Sequence, residues 1–516
     1  MRERSFEEKR RRNPSLTVFL LCVILLLAAF LRFRELTTEP PGLYYDEAIN
    51  GLDAISLLHE DPFQIFFTTE GHPREPLYVY MNAAAIGIAG QTKFALRGTS
   101  AVIGVITVLL LFLFIKEATG ETQLALLSAF CLAVMRWHVH FSRLSFRTIL
   151  TPAIMLALFW MLFKARRTRN FFHYSLAGFF LGLGFYSYLS FRFVPLLVLG
   201  FFLLWHWQER LSIQKEFTRI LLFVIVALVV FLPLLIDYAI NPFHFFGRMK
   251  EVTLFGEGFL PGLVKVGENI WKIALMFSIK GAHEIRHNIP YMPVFDPVAS
   301  LFLLVGICTA AAHIRRHVFF PFILMWLVIM LLPSILSQGA PDMLRTLAVT
   351  PVLATLLAFG LIKTVELIPE KKISPFLLRI LLVVVLLLCA TTEVRRYHKW
   401  EQHPEVWGKL TAHFYELAEK AAHPAFGDVT IYVDERIYIH PTFRYTIAHK
   451  PNIRTFASLD ELRNIERTKE GSIFVPLIYD HGLMEYVTER YSHTEPAFVI
   501  TAPEGNLAGI AFYSRN

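Results

Sequence analysis

The sequence predicts an all-α polytopic membrane protein with about 11 transmembrane helices, followed by a small C-terminal α/β domain outside the cytoplasm. Three observations predict it. Hydrophobic residues make up 55% and aromatic residues 14% of the 516 positions, with a mean hydropathy of +0.48, more than a soluble domain carries. Apolar runs repeatedly approach or reach the roughly 20 residues that a spanning helix needs. From Phe426 onward the pattern changes to alternating strand-like and helix-like stretches.

The elements follow in order. A basic cytoplasmic tail, 1–15, carries Arg2, Arg4, Lys9, Arg10, Arg11 and Arg12 and precedes an apolar run at 16–36. That run is too long, and too poor in small residues at its end, for a cleaved signal peptide, so it is expected to stay as a helix. Further runs cover roughly 77–90, 97–115, 122–135, 147–163, 174–189, 193–207, 219–240, 296–312, 318–336, 345–363 and 377–392. The basic connections 164–169, 210–219, 313–317 and 363–372 belong with the N-terminus in the cytoplasm by the positive-inside rule. All four fit there if 77–115 crosses once. The run at 77–90, about 14 residues or roughly 21 Å, is short for a bilayer of about 30 Å and reads as re-entrant, interfacial or the bent start of the next helix.

The transmembrane domain is therefore 16–395, with outer loops at 37–76, 136–146, 241–295 and 337–345, and the extracytoplasmic domain is 396–516. In that domain, strands are expected at 429–433, 472–477, 497–502 and 507–513 and helices at 458–465 and 481–491. It holds no glycine-rich phosphate loop or nucleophile elbow, which favours an appended structural or recognition role. The four cysteines all lie in apolar runs and read as packing residues. The net charge of +8 is spread over short clusters between spans, which excludes a nucleic-acid groove.

Candidate site residues gather at outward ends. Tyr45, Asp46 and Glu47 open a helix-like stretch after the first span, where Asp46 is either a helix cap or a reactive carboxylate. Arg74 and Glu75 close the same loop, as an exposed ion pair or as part of a site. The turn 136–146 holds His138 and His140, too few ligands for a convincing metal site. Arg143 and Arg147, four residues apart, share a face if the chain is helical there. That pair suits bidentate phosphate binding or lipid-headgroup snorkelling. Arg286 and His287 sit in a proline-bounded polar cluster before a span, and Arg345 enters a span, where an ionisable group usually has a functional or pairing reason.

In this order and sidedness, Tyr45-Asp46-Glu47, Arg74-Glu75-Pro76-Leu77, Ser142-Arg143 through Arg147, and Arg345 before Leu347-Ala348-Val349-Thr350-Pro351 resemble a known group. It is the large membrane glycosyltransferases that use lipid-phosphate-linked sugars, specifically bacterial relatives of the protein O-mannosyltransferase and aminoarabinose transferase group (glycosyltransferase family 39-like). The resemblance covers roughly residues 15–365. It implies a many-helix, GT-C-like fold at whose outer face a polyprenyl-phosphate sugar meets an acceptor. It further implies Asp46 as the catalytic or acceptor-binding carboxylate with Glu47 as support, and Arg143, Arg147 and Arg345 facing the donor phosphate. Tyr45, Arg74, Glu75, His138, His140, Arg286 and His287 would line the cavity. Two features depart from relatives: residues 136–147 contain no carboxylate, and no inserted sugar-binding domain is present. A divalent metal is accordingly not favoured.

The function expected is inverting sugar transfer from the polyprenyl-phosphate donor to a lipid, glycan or protein acceptor, at the outer face of the plasma (inner) membrane. The alternatives are a lipid-linked glycan flippase, whose coupling residues belong near the bilayer midplane, and a non-catalytic membrane assembly subunit.

Overall fold

The computed structural model describes residues 14–59, 63–68, 71, 73–209, 213–367, 374–426, 429–465, 471–490 and 496–514. The basic tail as far as residue 13, and parts of the basic connections at 210–219 and 363–372, lie outside the described residues. The chain divides into two compact units: Met1–Arg34, Gln64–Tyr78 and Ser100–Tyr397 form the first, and Glu35–Phe63, Val79–Thr99 and His398–Asn516 the second.

The fold is mostly helical because a backbone in hydrocarbon must satisfy its own hydrogen bonds. Six described helices are long and apolar enough to cross a bilayer: Pro14–Phe33, Lys93–Thr119, Arg147–Thr168, Leu189–Gln208, Gln214–Ile240 and Leu347–Glu366. A seventh results if the bent pair Thr122–Val134 and Arg136–Arg143 is one span. Leu77–Ala89, Phe171–Gly184, Pro297–Ala312 and Phe319–Ile335 are shorter apolar helices. The first of these has 13 residues and stops before Gly90, whose φ is +73°; it is as short as its sequence suggested. Close helix contacts rest on small residues, as membrane helices favour. A Cβ on Gly306 would lie 1.9 Å from the Leu356 carbonyl oxygen, and one on Gly360 would lie 1.8 Å from that of Phe302. Pro297–Ala312 and the helix Thr350–Glu366 therefore touch backbone to backbone.

Two expectations are corrected. Residues 136–146 are not a plain turn: Arg136–Arg143 is a helix whose eight residues are all buried, bent 57° from the helix before it. Its polar side chains bond within the protein, Trp137 Nε1 to Met343 O at 3.0 Å and Arg136 Nη1 to Asn288 Oδ1 at 2.6 Å. The loop 241–295 contains two helices, Pro242–Val252 and Phe259–Met276; the second displays Leu260, Val264 and Trp271 on an exposed apolar face.

The second unit carries a five-stranded sheet in the order β2-β1-β3-β5-β4, where β1 is Thr430–Asp434, β2 Ile453–Phe456, β3 Ser472–Val475, β4 Pro496–Thr501 and β5 Leu507–Ser514. The β1–β2 and β1–β3 pairs are parallel, and β5 runs antiparallel to both its neighbours. Alternation along β1 and β3 sends Ile431, Val433, Ile473 and Val475 into one core and Tyr432 and Phe474 into the other. Strand β2 was missed: its Ile-Arg-Thr-Phe is short and half-exposed. Residues 35–63, expected in an outer loop of the transmembrane domain, belong to this unit. Their helix Tyr45–His59 packs on Pro441–Ile447, with Gly51 so close beneath Tyr445 that a Cβ would lie 2.4 Å from its ring.

Candidate functional site

In the second unit, the helix Tyr45–His59 starts one residue before Asp46, and its first intrahelical bond runs from Ala48 N to Tyr44 O at 3.0 Å. Of the two roles open to Asp46, the cap is supplied by Glu47 instead. Its carboxylate reaches back to accept the Tyr44 backbone N–H at 2.9 Å, half of a capping box. The same carboxylate takes two bonds from Arg97, Nε to Oε1 at 3.0 Å and Nη2 to Oε2 at 3.1 Å, with both side chains fully buried. Arg97 also donates to the carbonyls of Pro40 at 2.7 Å and Gly42 at 2.9 Å. Glu47 is thus fully committed as support. Asp46, beside it, is exposed, and among the described residues its carboxylate has no hydrogen bond or ion pair. A free carboxylate on a rigid helix start can accept a proton or a hydrogen bond from an incoming group.

Tyr45 sets its ring edge-on to His440 at 5.5 Å, and His440 stacks on Phe414 at 4.0 Å. His440 caps Pro441–Ile447 by accepting the Thr442 N–H at Nδ1, 3.3 Å, which an imidazolium cannot do. Burial, then the neighbouring His413, push its pKa down from 6.5 to about 4. Between those values the unfolded chain binds more protons than the folded unit. Stability is therefore complete above pH ~6.5 and falls as pH drops toward ~4. Thermal unfolding followed across that window is expected to show a shallower acid slope for His440→Asn, which caps without titrating. Equal slopes in parent and variant would remove His440 from the account.

In the first unit, Glu75 lies between two guanidinium groups, its Oε2 3.7 Å from Arg147 Nε and its Oε1 3.8 Å from Arg192 Nη2. These are ion-pair separations, too long for hydrogen bonds. Arg192 is otherwise committed, donating to Phe245 O at 2.7 Å and Tyr238 Oη at 3.2 Å. Arg147 rests over the Tyr188 ring at 5.5 Å. Its Nη1 and Glu75 Oε2 are buried with no hydrogen-bond partner among the described residues. Two cations against one anion leave the cluster with one net positive charge and unspent hydrogen-bonding capacity.

The other expected arginines are occupied. Arg143 does not share a helical face with Arg147, because the helix ends at Arg143 and Leu144 is extended. Its Nη1 donates to the carbonyls of Leu31, Arg32 and Arg34 at 3.1, 3.4 and 2.7 Å, closing the end of the first helix. Arg345 pairs with Asp342 at 3.1 Å and donates to Gln338 O at 2.9 Å and to Ser337 Oγ, bracing its own loop. His138 Nδ1 sits 2.9 Å from Arg32 Nη2, whereas His140 Nε2 donates to Arg286 O at 2.8 Å. Among the described residues no group of three or more His, Cys, Asp or Glu is placed to hold a metal ion. Arg286 holds Glu284 well below the usual carboxylate range, at about 2, through a 2.8 Å hydrogen bond. His287 packs its ring against Phe141 at 5.6 Å. Arg74 pairs through its backbone with Phe67, 2.8 and 3.1 Å. Arg97 and Arg192 were missed by the sequence reading. Their signal was available: each is a cation at the edge of an apolar run, which calls for a partner.

Residues 71–236 match the model of the dolichyl-phosphate-mannose-protein mannosyltransferase family. That segment includes Glu75, Arg147 and Arg192 but neither Asp46 nor Arg345. Among solved structures, ArnT from Cupriavidus metallidurans bound to undecaprenyl phosphate is similar over 97% of this chain and 98% of its own, with 12% identity and a TM-score of 0.54. The archaeal oligosaccharyltransferase AglB from Archaeoglobus fulgidus, in complex with an inhibitory peptide and a dolichol-phosphate, is similar over 97% of this chain and 74% of its own, also with 12% identity and a TM-score of 0.54. The chain thus has the GT-C fold that these structures share. No curated protein sequence matches it.

Proposed function

We infer that the chain is a mannosyltransferase-like GT-C glycosyltransferase, which moves a sugar from a polyprenyl-phosphate donor to an acceptor at the extracytoplasmic face of the membrane. The observation that carries the reading is the cluster of Glu75, Arg147 and Arg192 inside the family-matched segment, where Arg147 Nη1 is buried and unpartnered. Leaving a buried donor unmade is costly, so such an atom points to a group that completes it. A phosphate oxygen meets that need with a charge-assisted bond.

In this mechanism Asp46 takes the proton of the acceptor hydroxyl as it attacks the anomeric carbon. The bond from that carbon to the phosphate oxygen breaks on the opposite side, giving inversion. Negative charge grows on the departing lipid phosphate, and Arg147, already fixed, stabilises it more in the transition state than in the ground state. Glu47 and Arg97 keep Asp46 in place. The acceptor is a lipid, a glycan or a protein. The positive-inside rule supports an outward location for Asp46 and for the sheet-bearing unit.

Binding of polyprenyl phosphate to the purified protein in lipid nanodiscs tests the donor assignment. Arg147→Ala is expected to weaken binding by about 10-fold or more, the worth of one charge-assisted contact. Arg143→Ala and Arg345→Ala should instead lower the unfolding temperature with affinity largely retained, since they brace helix and loop ends. Parental affinity in Arg147→Ala would move the donor site elsewhere.

A further inference from the structure

The segment 40–43 that delivers Asp46 is gripped from two distant parts of its unit. From one side Arg97 binds the Pro40 and Gly42 carbonyls. From the other, the Leu43 carbonyl oxygen lies 2.8 Å from Thr411 Oγ1 and 2.9 Å from Thr442 Oγ1, and the two hydroxyls are themselves 2.9 Å apart. Two hydroxyl protons serve this triangle of three contacts, so the Leu43 oxygen accepts at least one of them. The approach is tight. Gly42 has a φ of +68°, and a Cβ there would lie 2.4 Å from Leu410 O and 2.6 Å from Ala412 Cα.

Thr411 pays for its place with backbone strain. It sits in the left-handed region, φ 52°, ψ 37°, which a β-branched residue strongly disfavours, and its side chain does not cap the helix Ala412–Ala421 that follows. Glycine or asparagine suits that backbone better. A strained residue retained where an unstrained one is available indicates that its side chain is needed, and the side chain's hydroxyl is aimed at Leu43.

We propose that Thr411 and Thr442 are positioning residues for sugar transfer: they clamp the Leu43 carbonyl and so set where the Tyr45–His59 helix presents the Asp46 carboxylate. This gives the sheet-bearing unit a part in the chemistry, and it rests on the reading of Asp46 as the base. Small errors in a base's position cost up to about 10² in rate without weakening donor binding.

Steady-state transfer and thermal unfolding of the full chain in nanodiscs, with a radiolabelled polyprenyl-phosphate sugar, test the clamp. Thr411→Gly relieves the strain and removes the hydroxyl, so it is expected to melt no lower than the parent yet lose about 10-fold in kcat at unchanged donor KM. Thr442→Val is expected to give the same kcat loss, and Thr442→Ser, which keeps the hydroxyl, to recover it. In an Asp46→Asn background neither Thr411→Gly nor Thr442→Val should slow transfer further, because a mispositioned base costs nothing once the base is gone. Parental kcat in both threonine variants while Asp46→Asn is slow overturns the clamp alone, as does a further loss in the Asp46→Asn background. Parental kcat in Asp46→Asn itself overturns the base reading and the clamp with it.

Discussion

Asp46→Asn is expected to lower turnover by about 10² to 10⁴, the usual worth of a positioned base, while polyprenyl-phosphate binding and unfolding temperature stay near parental. The amide keeps the volume of the carboxylate but accepts no proton at neutral pH. Asp46→Ala should behave almost identically. The helix starts at Tyr45 and Glu47 supplies the side-chain cap, so Asp46 contributes to folding only through the helix dipole, roughly 0.3–1 kcal/mol. Single-turnover transfer alongside thermal melts checks both variants. A pair of variants with normal turnover, or a marked loss of stability in Asp46→Ala, would return Asp46 to a structural role.

Arg97→Met is expected to give the largest loss of stability in the molecule. It strands Glu47, fully buried, with no counter-charge, and breaking such a pair typically costs about 3–5 kcal/mol. It also removes the donors to Pro40 O and Gly42 O. Low yield and early unfolding should follow. Replacing both partners, Glu47→Leu with Arg97→Met, should recover much of the stability, because an apolar pair has no charge to desolvate. Transfer should stay impaired, since the segment carrying Asp46 has lost its bonds. Recovery of full activity in the double variant would show that the ion pair does not position Asp46.

How much of this was legible in the sequence follows from the range of the interactions. The helical character of the apolar runs was readable because lipid imposes a local rule: a long apolar run must be helical. Among the described residues, however, only six or seven helices, against about 11 expected crossings, are long and apolar enough to span. The strands β1, β3, β4 and β5 were readable from alternation, whereas β2, with Arg454 and Thr455 exposed, looks like a loop until β1 is there to pair with it. The segment 136–146 was misread for a different reason. Its arginines and histidines look solvated, but Arg143 ends on carbonyls of residues 31–34 and Arg136 donates to Asn288 Oδ1 at 2.6 Å, contacts more than a hundred residues away in sequence. Asp46 and Glu47 were found as a pair, yet their division of labour was hidden. It depends on Arg97, fifty residues on: its place at the edge of an apolar run calls for a partner, but local pattern does not say that the partner is Glu47. The same holds for Glu75, whose partners Arg147 and Arg192 come from separate helical segments. Local pattern finds the carboxylates; which of them is free is a property of the packed structure.

The most direct test of the account is transfer itself: purified protein in vesicles, a panel of radiolabelled polyprenyl-phosphate sugars, and a membrane extract as acceptor source. The expected result is stoichiometric release of polyprenyl phosphate with label appearing in one acceptor fraction, dependent on Asp46 and slowed in Arg147→Ala. Intact donor lipid recovered with every sugar, moved between leaflets but never cleaved, would contradict it and identify a lipid-linked glycan flippase in a glycosyltransferase fold.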